Sequence, residues 1–229
     1  MNLTVKDAAP LLAVSEKTIY RWIKQEVIPA YRVSGQYRFN RAELLEWATS
    51  RRITVAPEIL LEPEAGGAPL PILSEALEAG GIFYRIEGAN RNEVLQEIVQ
   101  HLRLPVEVDR EYLHRMLIAR ERLASTAIGE GIAIPHPRNT TLLHVSQPTV
   151  TLCFLEHEVD FRGLDGKPVH ILFTLISPTL RAHLHLLSLL GLCLKSSLFQ
   201  EVLRRPGGRE EIFSVLRRTE SELRSPLSS

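Results

Sequence analysis

One histidine, His136, stands where the sequence pattern could place a reactive side chain. It follows a Gly-containing turn and a short apolar run at 131–134, which Pro135 brings to an end. This order predicts that His136 lies at a strand end, where functional loops of α/β proteins collect. A neutral imidazole is a good nucleophile near pH 7. A packed or surface histidine would fit the same spacing, so the pattern alone leaves both interpretations open.

A second candidate site lies in a basic stretch near the start of the chain. Residues 1–52 hold nine Lys and Arg against five Asp and Glu, a net charge of +4, whereas the rest carries −4. Ile19, Trp22 and Ile23 recur at helical spacing and predict a buried stripe. The opposite face would present side chains that suit base edges and phosphates, namely Lys17, Thr18, Tyr20, Arg21 and Lys24. An ordinary solvated, charged face is the alternative.

Capping and turn patterns outline the elements that would position this helix. Residues 31–39 alternate around Ser34-Gly35 and predict a hairpin, on which Arg32 and Arg38 could hold the DNA backbone. Three helices are predicted from their caps, which are Thr4 with Asp7, Ser15, and Asn40 with Glu43. The aromatic residues assigned to the core rather than to DNA are Trp22, Tyr31, Phe39 and Trp47. Helices followed by a hairpin predict a winged helix-turn-helix.

The rest of the chain alternates helical and strand patterns. Residues 53–69 are rich in Pro, Gly, Ala and Glu and predict a linker, and residues 224–229 form a polar tail. The predicted helices are 92–104, 109–121, 181–194 and 208–218, and the predicted strands are 131–134, 149–155 and 169–176. This order predicts an α/β fold with a helix-covered sheet.

Composition and cysteine usage narrow the classes of protein. The 229 residues are 45% hydrophobic and 24% charged, as in an ordinary globular protein. Cys153 and Cys193 lie in apolar runs and are expected to be buried, reduced thiols. The longest apolar runs are too short to span a bilayer, and the first residues do not resemble a secretory signal. We therefore expect a cytoplasmic protein with no membrane partner.

The first half resembles the excisionase or MerR-like DNA-binding family. The segment Leu12-Ala-Val-Ser-Glu-Lys-Thr-Ile-Tyr-Arg-Trp22 carries this resemblance, together with residues 3–9, 28–35 and 37–47. The resemblance implies a winged helix-turn-helix domain over residues 1–52 that binds double-stranded DNA. A single small domain covers one half-site, so a homodimer is a further expectation.

The second half resembles the mannitol/fructose-type enzyme IIA domains (type 2) of the bacterial sugar phosphotransferase system, in particular their nitrogen-regulatory branch. The segment Arg120-Glu-Arg-Leu-Ala-Ser-Thr-Ala-Ile-Gly-Glu-Gly-Ile-Ala-Ile-Pro-His136-Pro-Arg138 carries this resemblance, with residues 159–178 and His183-Leu-His-Leu-Leu-Ser188 in support. It spans residues 70–223 and implies a helix-covered mixed β-sheet.

The family resemblance implies roles for three residues. His136 would accept a phosphoryl group from the histidine-containing phosphocarrier protein, Arg120 would neutralise the phosphoryl oxygens, and His183 would bind the phosphate or orient His136. Further donors would be Ser125, Thr126, Arg122 and Arg138. The sequence departs from the family at Ala127, usually Gly, and at Pro137, usually a small residue. Pro137 has no backbone N–H to donate to phosphate.

No cofactor or metal is expected. His183 and His185 are two residues apart on a predicted helix and point to different sides, and no zinc-type or Gly-rich nucleotide motif occurs. The resemblances imply a DNA-binding regulator with a phosphohistidine carrier domain, rather than a self-contained turnover enzyme. Two alternatives are a sugar-uptake component that passes phosphate to a permease, and a DNA-binding adaptor whose second half only docks partners.

Overall fold

The computed structural model describes residues 2–33, 35–51, 53, 69–137, 145–205 and 208–224. The chain divides into two compact units, Met1–Pro69 and Leu70–Ser229, and each is described by itself. Most of the predicted linker, the tail from residue 225 and Arg138 lie outside the described residues.

Side-chain caps define the helices of the first unit, as predicted. Thr4 accepts a hydrogen bond from the backbone N–H of Asp7, whose carboxylate accepts one from the N–H of Thr4, so the capping box is complete. Ser15 caps the second helix by accepting from the N–H of Thr18. The elements in chain order are β1 (Asn2–Leu3), α1 (Val5–Leu11), α2 (Glu16–Lys24), β2 (Tyr31–Val33), β3 (Gln36–Asn40) and α3 (Arg41–Ser50).

The predicted hairpin is formed by β2 and β3, and β1 completes a three-stranded antiparallel sheet in the order β1-β3-β2. Phe39 is fully buried, and Trp22 and Trp47 pack edge to face with ring centroids 5.2 Å apart. The prediction that Tyr31 lies in the core is wrong. Tyr31 is 51% exposed on the edge strand β2, and its hydroxyl donates to the carboxylate of Glu43.

The second unit is built on a five-stranded mixed sheet, which confirms the predicted fold class. The strand order is β4-β7-β8-β6-β5, with parallel pairs β4–β7 and β8–β6 and antiparallel pairs β7–β8 and β6–β5. The strands are β4 (Ile82–Ile86), β5 (Ala127–Gly129), β6 (Ile132–Ala133), β7 (Thr149–Val159) and β8 (Val169–Ile176). The helices are α4 (Leu73–Gly80), α5 (Arg91–His101), α6 (Arg110–Leu123), α7 (Leu180–Cys193), α8 (Ser197–Arg204) and α9 (Arg209–Arg224).

Helices cover both faces of this sheet. Side chains from α4, α7, α8 and α9 pack with Phe173 and Leu175 on one face. Those from α5 and α6 pack with Leu172 and Ile176 on the other face. Strand β8 is therefore buried on both sides, which explains its almost continuous apolar sequence.

The predicted elements of the second unit are present, with shifted ends. The predicted strand 149–155 extends to Val159, and the predicted helix 208–218 continues to Arg224. Four elements, α4, β4, β5 and α8, were not predicted from the sequence. Among the described residues no single helix is both long and apolar enough to cross a bilayer, and α7 and α8 meet such a test only as a combined pair bent by 88°.

Candidate functional site

His136 lies at the end of a short hairpin. The turn between β5 and β6 consists of Glu130 and Gly131, both at positive φ. After β6 the chain stays bonded to the central sheet, because Pro135 O accepts a hydrogen bond from Leu175 N at 3.2 Å. His136 follows directly and is only 3% exposed. The predicted position at a strand end is therefore where the structure places this side chain.

A backbone contact fixes which ring nitrogen of His136 carries the proton. Nδ1 lies 2.8 Å from the carbonyl oxygen of Ile134. Because a carbonyl can only accept, the hydrogen bond requires a proton on Nδ1. In the neutral ring the lone pair is then on Nε2, which is the nitrogen able to act as a nucleophile.

His183 is the residue that the structure brings against His136. It lies in the first turn of α7, a helix that Thr179 caps by accepting from Ala182 N at 3.2 Å. The ring centroids of His136 and His183 are 4.9 Å apart and the ring planes are tilted by 50°. Both histidines are buried, so two imidazoles meet where an anion would be shielded from water.

Arg120 lies near the end of α6, the helix that precedes the His136 hairpin in the chain. The residue is 8% exposed, and its Nη1 donates to the carbonyl of Ala124 at 2.8 Å. Ala124 begins the loop that leads into β5 and then to the His136 hairpin. A buried arginine with a planar set of donors is suited to bind phosphoryl oxygens.

Ser125 and Thr126, two further expected donors, form hydrogen bonds within the protein. The Ser125 hydroxyl donates to Phe161 O at 2.6 Å and accepts from Ala127 N. The Thr126 hydroxyl donates to the Glu121 carboxylate at 2.6 Å. Both hydroxyl protons are thus donated within the protein, and these residues shape the loop between α6 and β5.

The two departures from the family pattern have different consequences. A Cβ built on Gly163 would lie 3.1 Å from the Ala127 methyl, so Gly163 provides the space that the extra methyl requires. Ala127 is buried without strain. Pro137 is also buried and removes a backbone donor next to His136. Arg122 is exposed, and Arg138 lies outside the described residues.

Sequence reasoning missed two residues beside this site, Glu121 and Arg91. Glu121 is buried, accepts hydrogen bonds from Thr126 and forms an ion pair with Arg91 at 3.5 Å. Glu121 follows Arg120 on a charged helix, a pattern that is typical of a solvent-exposed face. Only the structure shows that the Glu121 side chain is buried.

Neither cysteine contributes reactive chemistry. Cys153 and Cys193 are buried free thiols, and burial raises the pKa of each to about 12. Within the described part of the chain no group of three His, Cys, Asp or Glu residues could hold a metal ion.

The predicted DNA-reading face is largely exposed on α2. Lys17, Tyr20, Arg21 and Lys24 are exposed, whereas Thr18 is half-buried, its hydroxyl 3.1 Å from that of Ser15. The side chains on this face therefore include three cations, and the structure leaves them at the surface, away from Ile19 in the core.

The two hairpin arginines are placed differently. The Arg32 guanidinium is exposed and lies 6.0 Å from the centroid of the Tyr37 ring, whose edge contacts Tyr20 of α2. Arg38 is half-buried and donates to Gln36 Oε1 at 2.7 Å and to Tyr37 O at 3.1 Å. Arg38 would have to share or give up these hydrogen bonds to contact DNA.

The sequence matches two known protein families. Residues 75–219 match the phosphoenolpyruvate-dependent sugar phosphotransferase system EIIA 2 family, and residues 3–52 match a helix-turn-helix domain. A nitrogen regulatory protein of Pseudomonas aeruginosa is 33% identical over 148 residues, covering 63% of this chain and 94% of the relative. The Escherichia coli nitrogen regulatory protein is 33% identical over 133 residues, 56% of this chain and 77% of that protein.

A solved structure supports the same assignment. The crystal structure of nitrogen regulatory protein IIA-Ntr from Neisseria meningitidis superposes with a TM-score of 0.56 at 28% identity, covering 64% of this chain and 99% of that one. The chain therefore belongs to the EIIA 2 family of the phosphotransferase system and carries an N-terminal helix-turn-helix domain.

Proposed function

We propose that this protein is a cytoplasmic DNA-binding regulator whose second unit accepts a phosphoryl group on Nε2 of His136. The donor is the histidine-containing phosphocarrier protein of the phosphotransferase system. The observation that carries the proposal is the hydrogen bond from Nδ1 of His136 to Ile134 O, which leaves the lone pair on Nε2 in the neutral ring. The contact with His183 and the burial of Arg120 support it.

The proposed transfer is an exchange of one phosphorus–nitrogen bond for another. The lone pair of His136 Nε2 forms a bond to phosphorus, the phosphorus–nitrogen bond of the donor breaks, and the electron pair returns to the departing donor imidazole. His136 keeps its Nδ1 proton, and Ile134 O stabilises the positive charge that develops on the ring. Arg120 and His183 offset the charge of the phosphoryl oxygens. Because the phosphoryl group is again bonded to an imidazole nitrogen, it can be passed onward, and the unit acts as a carrier.

The first unit is proposed to bind duplex DNA through α2 and the hairpin. Lys17, Arg21 and Lys24 supply positive charge on the exposed face, and Arg32 reaches the backbone from the wing. Tyr20 and Thr18 are the proposed contacts to base edges. Tight binding is expected to require a homodimer, because one small domain covers a single half-site.

Labelling with phosphoenolpyruvate and the general phosphotransferase components tests the acceptor. We expect one phosphoryl group that is labile to acid and stable to base, absent from His136→Ala and retained in the control His157→Ala, which changes an exposed histidine of β7. Full labelling of His136→Ala would place the acceptor elsewhere. Rapid onward transfer to an added IIB-type domain, with DNA binding unaltered, would favour the sugar-uptake alternative.

A further inference from the structure

Glu121 is a buried carboxylate at the end of α6, next to Arg120. The residue is 5% exposed, and a carboxylate at such a depth must be compensated by hydrogen bonds or a counter-ion. Thr126 supplies two donors, its backbone N–H at 3.0 Å and its hydroxyl at 2.6 Å, and Arg91 is the counter-ion at 3.5 Å. Glu121 therefore fastens the loop between α6 and β5 from within.

This loop is bonded in turn to the chain that carries His136. Thr126 O accepts from Ile134 N at 3.0 Å, and Ile134 O accepts from Nδ1 of His136 at 2.8 Å. A continuous series of hydrogen bonds thus runs from the Glu121 carboxylate through Thr126 and Ile134 to the acceptor ring. Arg120 is bonded to the same loop at Ala124 O.

Arg91 connects this series to a second loop. Besides its ion pair with Glu121, its Nη1 lies 3.4 Å from Phe161 O, which also accepts from the Ser125 hydroxyl. Ser125 and Thr126 are therefore held by three elements. These are the first residue of α5, the end of α6 and the loop after β7.

We propose that Glu121, with Arg91 as its counter-ion, is a positioning residue of the phosphoryl-transfer site, an inference that rests on the proposed function. Glu121 acts through Thr126. It holds Thr126 O in place to accept from Ile134 N. This in turn keeps Ile134 O in place to accept from the protonated Nδ1 of His136, so the lone pair stays on Nε2. The same loop also accepts a hydrogen bond from Arg120. The Glu121 carboxylate therefore positions both His136 and Arg120.

Variants of the full-length chain test this role. Glu121→Gln removes the charge at constant shape, Thr126→Val removes the hydroxyl, and Thr126→Ser restores it. The matched control is Glu111→Gln, which changes an exposed glutamate of the same helix that pairs with Arg115. Thermal unfolding identifies any variant that fails to fold. If Glu121→Gln does not fold, Thr126→Val still tests the proposal.

The rate of phosphorylation and the ring nitrogens of His136 are measured together. Glu121→Gln and Thr126→Val should lower the maximal rate about tenfold, which equals about 1.4 kcal/mol, with the donor concentration for half-maximal rate changed less than about twofold. Thr126→Ser and Glu111→Gln should match the wild type. In nitrogen NMR spectra, the Nδ1 and Nε2 resonances of His136 should move towards each other in the two damaging variants, because the single tautomer is lost.

The outcomes separate this inference from the proposed function. Wild-type phosphorylation with unchanged rates and unchanged His136 resonances in Glu121→Gln and Thr126→Val would overturn the positioning role and leave the function intact. A wild-type protein that takes no phosphoryl group would refute the proposed function, whereas the shift of the His136 resonances in Thr126→Val would still establish the hydrogen-bonded path. Equal losses in Glu111→Gln would also overturn the inference.

Discussion

Replacing Glu220 by alanine should destabilise the second unit strongly, because this carboxylate of α9 caps a distant helix. Helix α4 has no side-chain cap of its own at Ile72. Instead, Glu220 accepts hydrogen bonds from Leu73 N at 2.7 Å, Ser74 N at 3.1 Å and the Ser74 hydroxyl at 2.9 Å. The residue is 3% exposed, so its truncation leaves three donors at a buried position without their acceptor.

The magnitude follows from these contacts. A hydrogen bond to a charged group contributes about 1.5–3 kcal/mol, and partial hydration of the exposed donors offsets some of the loss. We expect the free energy of unfolding to fall by about 3–5 kcal/mol, because each buried donor left without an acceptor costs about 1–3 kcal/mol and part of this is recovered by hydration. At about 2–4 °C per kcal/mol for a unit of this size, the melting temperature should fall by roughly 6–20 °C.

Differential scanning calorimetry measures this loss, and tryptophan fluorescence adds an internal comparison. Trp22 and Trp47, the two tryptophans of the chain, both belong to the first unit, so their fluorescence follows that unit. Glu222→Ala is the control, because Glu222 is exposed and pairs only along its own helix with Arg218. A melting temperature of Glu220→Ala within about 1 °C of the control would refute the capping argument.

Three further predictions concern the first unit. Arg21→Ala should weaken DNA binding and flatten its salt dependence by about one unit of slope, whereas Arg115→Ala, which removes the same charge from α6, should not; equal slopes would argue against the α2 face. The Thr4 hydroxyl and backbone N–H lower the pKa of Asp7, so the capping box should stabilise fully above the ordinary aspartate pKa and lose its effect as pH falls through the lowered value. The difference in melting temperature between wild type and Asp7→Asn, followed by tryptophan fluorescence, should therefore vanish in acid, and a difference that persists there would contradict this. Phosphorylation of His136 should shift operator affinity about 5- to 150-fold, measured at fixed salt with His136→Ala as the control. Equal affinities of the phosphorylated and unmodified protein would show that the two units are not coupled.

Local signals in the sequence predicted the elements that depend on nearby residues. The caps of α1 and α2 join residues three positions apart, and β8 is an almost continuous apolar run. Helix α4 lacks such a signal, because its cap is Glu220, which lies 147 residues away from Leu73. Strand β4 is a short edge strand with a bulge and with Arg85 at positive φ, so it shows no regular alternation.

The candidate site divides in the same way. His136, Arg120 and His183 could be selected by resemblance alone, and the contact between the two histidine rings agrees with that selection. Glu121 could not be selected, because a glutamate beside an arginine on a helix has the sequence pattern of a solvated face. Its burial arises from residues of other elements, Arg91 and Thr126, that no local spacing connects with it.

The contacts around His136 also bear on the proposed phosphoryl transfer. Pro137 has no backbone N–H, and the hydroxyl protons of Ser125 and Thr126 are donated to Phe161 O and Glu121. In this structure those two hydroxyl protons and the missing N–H of Pro137 are not available to phosphoryl oxygens. Under the proposed function, we therefore expect the buried side chains of Arg120 and His183 to offset most of the phosphoryl charge. Arg120→Lys would replace a planar fork of donors by a point charge, so under the proposed function we expect even this similar side chain to slow phosphorylation.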